Sequence, residues 1–155
     1  MNMRPRGLIG MGYEGVEDMA SFLRRVQAHD VATVVDVRLN PISRKRGFSK
    51  TALGNALADV GVAYVHAREL GNPKWNRPGF AGPHDELMAA RTTYEKTIDS
   101  ADADARLDEI AAAANEGIVA LLCFEADEFR CHRHVLLDRL RSGTSVLAGI
   151  GYRRG

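Results

Sequence analysis

The sequence predicts an α/β fold of three layers, in which a mostly parallel β-sheet carries helices on both faces. Apolar runs at residues 31–37 and 118–123 alternate with segments whose apolar residues recur at helical spacing. Strands that are apolar along most of their length are typical of parallel sheets covered on both faces. The alternation of strands and helices is typical of the same architecture. A chain of 155 residues fits one domain, and we expect residues 1–155 to form it.

The first half of the chain predicts three strands and two helices. Residues 7–11 form a short apolar run that is typical of a strand, and helical spacing of apolar residues over 16–26 predicts the first helix. The second strand, at residues 31–37, is followed by a loop rich in Pro, Ser, Arg and Gly. Ser49 is the predicted N-cap of the second helix. A third strand is predicted at residues 62–66.

The second half of the chain begins with a long irregular segment at residues 68–83, which is rich in Gly and Pro. Loops of this length are uncommon in compact domains and are often functional. The elements predicted after it are helices near residues 85–98 and 103–115, a strand at 118–123, a helix at 131–140 and a last strand at 146–152.

Composition and charge exclude several classes of protein. A formal net charge of +1 gives no overall field that would favour nucleic acid or a membrane surface. No stretch approaches the roughly 20 apolar residues of a transmembrane helix, and no apolar signal-peptide core follows the basic N-terminal residues. The two cysteines, Cys123 and Cys131, do not make a secreted disulfide framework. We therefore expect a cytoplasmic protein with no membrane partner.

Reactive and charged side chains follow the first four predicted strands. In open parallel sheets, ligands bind in the crevice beyond the carboxyl ends of the strands. We therefore expect these side chains to surround one crevice. The residues at these strand ends are Tyr13, Glu14, Asp36, Arg38, His66, Cys123 and Glu125.

Cys131, His132 and Arg133 lie where the helix after the fourth strand is predicted to begin. Helix N-termini present unpaired N–H groups and a partial positive charge, so they bind anions readily. A cysteine in that position is expected to have a depressed pKa. Arg44 opens the densest basic run of the chain, at residues 44–50, beside the same crevice. An anion is therefore expected to bind between these groups.

Several of these residues have a structural interpretation beside the functional one. Asp36 lies inside an apolar strand, where a salt bridge to Arg38 would account for it as well as catalysis does. His66 is equally compatible with a structural hydrogen bond. Cys123 at the end of a buried strand is typical of a small core residue, and Cys131 is compatible with either burial or reactivity.

Cofactor and metal motifs are absent or incomplete. There is no P-loop, and the G-x-G-x-x-G pattern at residues 10–15 places Glu14 beside any bound pyrophosphate. We therefore expect no cofactor. Without a C-x-x-C pair we also expect no metal, although a zinc site built from Cys123, Cys131, His132 and His66 is the less favoured alternative.

A thiol enzyme is a further alternative, with Cys131 or Cys123 as the nucleophile. A cysteine at a strand end followed by a loop and a helix is similar to rhodaneses and cysteine phosphatases, and residues 35–38 resemble a rhodanese strand end. Those enzymes place an arginine after five intervening residues. Here Arg130 follows Cys123 after six, and the loop is acidic.

The combined motifs resemble the domain-of-unknown-function family 488 over nearly the whole chain. The start reads Gly-Met-Gly-Tyr where the family often has Gly-Tyr or Gly-His. The resemblance implies a small α/β fold and a shared polar site of Asp36, Arg38, Arg44, His66, Glu125, Cys131, His132 and Arg133, and it implies no established activity. The motifs that carry it are Ile9-Gly10 with Tyr13 and Glu14, Val35-Asp36-Val37-Arg38, Pro41, Ser43-Arg44, Gly47-Phe48-Ser49, Tyr64 and His66, Leu70-Gly71, Leu121-Leu122-Cys123 with Glu125, and Cys131-His132-Arg133.

The residue types together favour an enzyme that acts on a nucleotide or another small anionic substrate derived from nucleic acid, through hydrolytic acid–base chemistry. A non-catalytic module that binds nucleotides or nucleic acid is the alternative. In the enzyme hypothesis Glu125 activates water or orients the substrate, and His66 transfers a proton. The expected catalytic residues are Asp36, His66, Glu125 and Cys131, and the expected substrate-binding residues are Tyr13, Arg38, Arg44, His132 and Arg133.

Overall fold

A computed structural model describes residues 4–143 and contains the predicted α/β architecture. Its sheet has four strands, β1 (Gly7–Gly12), β2 (Val31–Asp36), β3 (Ala63–His66) and β4 (Ile118–Cys123). The strands are all parallel and lie in the order β1-β4-β2-β3. The predicted last strand at residues 146–152 lies outside the described residues.

Within residues 4–143, six helices connect or follow the strands. The long irregular segment holds a short helix and two 3-10 turns, Arg68–Leu70 and Lys74–Asn76, and a third turn, Glu128–Arg130, follows β4. No helix in the described part of the chain combines the length and apolar character that a membrane crossing requires. The helices are α1 (Met19–Ala28), α2 (Lys50–Asp59), α3 (Arg77–Phe80), α4 (His84–Thr97), α5 (Ala101–Ala114) and α6 (Arg133–Gly143).

Three helix starts differ from the predictions by two or three residues. α5 begins at Ala101 instead of residue 103, because the Ser100 side chain accepts a hydrogen bond from the Ala103 N–H and caps the helix. α1 begins at Met19 instead of residue 16, because the Asp18 side chain accepts a hydrogen bond from the Ser21 N–H and caps the helix. α6 begins at Arg133, so the predicted start at Cys131 is two residues early. Ser49 is the N-cap of α2 as predicted, but its hydroxyl bonds to Ser43 in the preceding loop rather than to the helix.

Side chains that alternate along each strand divide the core into two layers. Along β4, Ile118, Ala120 and Leu122 face α1 and α2, while Val119, Leu121 and Cys123 face α4, α5 and α6. The predicted three-layer arrangement, with helices on both faces of the sheet, is therefore confirmed.

The position of β4 determines where a crevice can form. β4 lies between β1 and β2, and its outgoing chain packs on one face of the sheet as α6. The chains leaving β1 and β2 pack on the opposite face as α1 and α2. Neighbouring strands whose connections leave in opposite directions open a crevice at their carboxyl ends, which is where ligands bind in such folds.

Candidate functional site

A cleft of about 370 Å³ opens at the carboxyl edge of the sheet, and this volume lies in the usual range of ligand pockets. Residues from three strand ends line it, namely Tyr13 after β1, Arg38 after β2, and Cys123 with Glu125 at the end of β4. The parallel register explains the convergence, because Gly12 pairs with Cys123 and Asp36 pairs with Leu122 at the same edge.

The cleft wall is strongly basic. Arg44 and Arg77 are exposed, and neither side chain makes a hydrogen bond or salt bridge to another residue in the described range. Glu125 is the only carboxylate among the described residues that line the cleft. The positive charge of the wall comes from Arg38, Arg44, Lys45, Arg77 and Arg130. This arrangement can attract an anion, because most of its positive charge is not cancelled within the cleft.

Arg38 is held rigidly by Asp36, which is fully buried. The Arg38 Nε and one terminal nitrogen donate to the two Asp36 carboxylate oxygens at 2.8 and 2.6 Å, a bidentate pair. The other terminal nitrogen donates to the Tyr13 hydroxyl at 2.9 Å, and the Tyr64 hydroxyl donates to Asp36 at 2.5 Å. Asp36 itself does not line the cleft, so its carboxylate orients Arg38 from below.

Protonation in this network follows from its contacts. Burial alone would lower the pKa of Arg38, but the hydrogen bonds and charge of Asp36 outweigh burial and raise it. Burial and the hydrogen bond to Asp36 raise the pKa of Tyr64 above the ordinary tyrosine value. Arg38 therefore stays charged and Tyr64 stays neutral over the whole physiological range.

Besides Asp36, two further predicted site residues lie outside the cleft lining. His66 is half-buried, and its Nε2 lies 2.8 Å from the Arg38 carbonyl oxygen. Arg133 is buried, and its terminal nitrogens donate to the carbonyl oxygens of Glu125 at 2.7 Å and Ala126 at 3.4 Å. Arg133 therefore stabilises the backbone of the loop that carries Glu125, and its side chain does not line the cleft.

Cys123, Cys131 and His132 form a buried cluster at the floor of the cleft. Each sulfur atom lies 3.8 Å from the His132 Nδ1. The Cys123 thiol also donates to the Glu125 carboxylate at 3.2 Å. These contacts connect the end of β4 with the start of α6.

The expectation of a depressed pKa at Cys131 is wrong. Burial, followed by the contact with Cys123, raises the pKa of the Cys131 thiol well above its ordinary value. The Arg133 N–H does point to the Cys131 sulfur at 3.5 Å, but one weak N–H contact does not offset the loss of solvation. An activated free thiolate at the start of α6, as in a rhodanese-like enzyme, is therefore not supported.

A family comparison identifies the group to which this chain belongs. The model of the family described as domain of unknown function DUF488 matches residues 18–140. The chain is a member of the DUF488 family. Comparisons with curated proteins and with solved structures gave no match. Membership confirms the resemblance expected from the motifs and assigns no activity.

Some cleft residues of this DUF488 protein had no signal as individual positions in the sequence. Arg77 and Asn72 are such residues, and they reach the cleft from the long segment at residues 68–83. Only the unusual length of the segment indicated a functional role. Within that segment Phe80 is buried and anchors the loop to the core, while Trp75 is 73% exposed.

Proposed function

We propose that this DUF488 protein is an enzyme that binds a nucleotide or a similar small phosphate-bearing anion in the basic cleft and hydrolyses it. The observation that carries the proposal is the cleft itself, where five cationic side chains converge around one carboxylate. Phosphate groups are well matched to guanidinium groups, which donate two parallel hydrogen bonds.

The cationic groups divide into fixed and free ones. Arg38 is fixed by Asp36 and Tyr13, so its guanidinium is preorganised as a hydrogen-bond donor, while the Asp36 carboxylate balances its charge. Arg130 is also held, because it donates to the carbonyl oxygens of Phe80 and Gly82. Arg44 and Arg77 are exposed at the mouth, where they can close on a phosphate as it enters.

Aromatic side chains supply the part of the site that suits a base. The Tyr13 ring stacks on Phe48 with centroids 4.6 Å apart and meets the edge of Phe124 at 5.3 Å. Phe124 is 44% exposed and lines the cleft. A partly exposed ring beside a basic wall is the combination that stacks on a nucleobase while its phosphate is held.

Glu125 is the proposed general base. Glu125 is half-buried in the cleft wall, and its carboxylate lies beside Cys123, the last residue of β4. In the proposed step Glu125 takes a proton from water, the water oxygen bonds to the phosphorus or sugar carbon, and the leaving group departs with that proton. Net hydrolysis consumes one water and leaves Glu125 unchanged.

A matched pair of carboxylate variants tests this role. Glu125→Gln keeps the shape of the side chain but removes the base, so turnover in a screen of nucleotides and nucleotide sugars should fall by about 100-fold or more. Glu116→Gln is the control, because Glu116 is exposed just before β4, at the opposite end of the strand. Equal turnover of both variants on a substrate that the wild type hydrolyses would end the assignment.

A non-catalytic module for single-stranded nucleic acid is the second candidate. Its support is a set of exposed apolar side chains, Ile42 at 81%, Trp75 at 73% and Phe124 at 44%, of which Ile42 and Phe124 line the basic cleft. Exposed aromatic residues beside cations are typical of stacking platforms for bases.

Salt dependence and a tryptophan variant separate this candidate from the enzyme. If the chain binds a labelled single-stranded oligonucleotide, its affinity should fall steeply as salt rises, since each phosphate contact releases counterions. Trp75→Ala should weaken binding by roughly 1–3 kcal/mol if the indole stacks on a base. Absence of oligonucleotide binding at low salt, beside measurable nucleotide turnover, would exclude the binding-module candidate.

A further inference from the structure

We infer that Cys123, Cys131 and His132 form a binding site for one zinc-like divalent ion, whose remaining coordination position opens into the cleft. The inference deepens the proposed function, since the ion would hold the attacking water beside Glu125. Binding of the ion itself does not depend on the identity of the substrate.

The two sulfur–nitrogen distances are close to those of a tetrahedral site. Both sulfur atoms lie 3.8 Å from the His132 Nδ1, and the three donor atoms all lie within 4.8 Å of one another. Zinc–sulfur and zinc–nitrogen bonds of about 2.3 and 2.0 Å imply a sulfur–nitrogen separation of roughly 3.6 Å in a tetrahedron. The sulfur–nitrogen pairs need only a small contraction to close on an ion, and the two sulfur atoms, which lie within 4.8 Å of each other, would approach to about 3.8 Å.

The hydrogen bond at the other nitrogen of His132 sets the tautomer that a metal requires. The His132 Nε2 lies 2.7 Å from the Val37 carbonyl oxygen, which can only accept, so Nε2 carries the proton. The lone pair of the neutral ring is then on Nδ1 and points at the two sulfur atoms. Metal-binding histidines usually donate their second N–H to a carbonyl or carboxylate in this way. Tyr94 packs against the ring edge-on at 5.1 Å and holds its orientation.

Ligand chemistry and charge select the ion. Two sulfurs and an imidazole favour zinc and similar transition metals over Mg²⁺ or Ca²⁺, which prefer oxygen ligands. All three residues are nearly inaccessible to solvent. Two thiolates would cancel the charge of a divalent ion, so the occupied site would place no net charge in the core.

The fourth coordination position of the proposed ion is the feature that favours a catalytic role over a structural one. Structural zinc sites have four protein ligands, whereas catalytic sites have three and leave a position for water. The cluster contains three donors, and the same three residues line the cleft. Glu125 is not part of the donor set, but its carboxylate lies 3.2 Å from the Cys123 sulfur and is therefore close to the proposed ion. A water bound there would have a lowered pKa and an adjacent base.

Cobalt titration of the full chain tests the site. The reduced, chelator-treated protein should bind one equivalent of Co²⁺, with thiolate-to-cobalt charge-transfer bands and the intense visible bands of a tetrahedral ion. Zn²⁺ should displace the cobalt and abolish these bands. Cys123→Ser, Cys131→Ser and His132→Asn should each lower Co²⁺ affinity by about 100-fold or more. His84→Asn, which replaces an exposed histidine of α4, should leave the titration unchanged.

A second measurement needs no variant and covers the case in which the substitutions impair folding. Zn²⁺ should raise the melting temperature of the wild-type chain, because a ligand of the native state stabilises it by mass action. The inference is overturned if reduced wild-type protein binds no Co²⁺, or if the cobalt bands survive in both folded cysteine variants. It is also overturned if the two cysteines reform a disulfide after reduction and the chain still binds no Co²⁺.

Nucleotide binding by the metal-free chain separates this inference from the proposed function. A chain that binds Co²⁺ but no nucleotide keeps the metal site and loses the nucleotide assignment. A chain that binds nucleotide in the cleft but no Co²⁺ keeps the anion site and loses the metal.

Discussion

Asp36 shows how a single buried residue organises one wall of the cleft. Its carboxylate has no solvent exposure and accepts hydrogen bonds from Arg38 and Tyr64 on its two oxygens. Burial of an unpaired carboxylate costs folding free energy. The pairing with Asp36 therefore holds the Arg38 guanidinium in a fixed position. Of the two interpretations that the sequence left open, this geometry favours a positioning role for Asp36 over direct proton transfer.

Removal of Arg38 should therefore destabilise the fold. Arg38→Met leaves the Asp36 charge buried without its partner, and we expect the free energy of unfolding to fall by about 3–5 kcal/mol. Arg24→Met is the control, since Arg24 is exposed on α1 and donates a hydrogen bond to the Ser21 hydroxyl, and its effect should stay within about 0.5 kcal/mol. Urea unfolding measures the free energy of unfolding of both variants. Similar losses of stability in Arg38→Met and Arg24→Met would contradict the role assigned to the Asp36–Arg38 ion pair.

Tyr64 predicts a specific loss of stability at alkaline pH. Burial and the hydrogen bond to Asp36 raise the pKa of Tyr64, while the unfolded chain keeps a value of about 10. The native state thus holds this proton more tightly. The stabilisation of the native state by this proton is complete below pH about 10. It is lost as the pH rises through the higher native pKa.

Urea unfolding at a series of pH values from about 8 to 11 tests this prediction. Above pH 10 the stability of the wild type should decline more steeply than that of Tyr64→Phe, which has no phenol to ionise. The variant should also be less stable at neutral pH, by about 1.5–3 kcal/mol, because it lacks a hydrogen bond to a charged group. Parallel pH curves would show that Tyr64 does not contribute in this way.

At the scale of elements, the end of β1 and the loop after β4 approach each other closely. Gly12 pairs with Cys123, and a Cβ on Gly12 would lie 2.0 Å from the Glu125 carbonyl oxygen. The G-x-G-x-x-G pattern noted in the sequence therefore has a packing explanation at its second glycine. That glycine lets the backbone of Glu125 lie against β1.

Gly12→Ala should lower stability and disturb Glu125 together. We expect a loss of about 1–3 kcal/mol, because the new methyl group meets backbone atoms that cannot rotate away, and turnover should fall with it. Gly54→Ala is the matched control, since a Cβ there makes ordinary contact with Tyr64 at 3.4 Å and lies within α2. It should be neutral or stabilising by up to about 1 kcal/mol. Thermal melting that ranks the two in the opposite order would refute the packing argument.

The sequence predicted elements well where one local rule decided them. Apolar runs such as Ile118–Cys123 matched a buried strand, and helical spacing found α1, α2, α5 and α6, with terminal errors of a few residues. The start of α6 was placed too early because Cys131 and His132 lie between the Glu128–Arg130 turn and the helix, and their side chains are buried in the core. Burial reversed the expected pKa shift of Cys131, and burial depends on packing that no local pattern contains.

At the scale of the whole molecule, the parallel sheet explains why a site could be predicted at all. Strand ends meet at one edge, so Tyr13, Arg38 and Glu125 could be grouped before any coordinates were known. Arg77 could not, because it reaches the cleft only after the long segment folds back. That path depends on contacts such as the hydrogen bonds from Arg130 to the carbonyl oxygens of Phe80 and Gly82.

The exposed arginines at the cleft mouth allow a charge-matched test. Arg44→Gln combined with Arg77→Gln removes two positive charges from the cleft lining. Arg24→Gln combined with Arg68→Gln removes the same charge from exposed positions that do not line it. The second pair controls for the change in net charge of the molecule.

Calorimetric titration of a nucleoside monophosphate and diphosphate into these variants tests the anion site most directly. The wild type and the Arg24/Arg68 variant should bind with closely similar affinity. The Arg44/Arg77 variant should bind about 10- to 100-fold more weakly, since each lost charged hydrogen bond is worth roughly 1.5 kcal/mol or more. Equal affinity in the two double variants, or no binding to the wild type, would contradict the assignment of the cleft as an anion site.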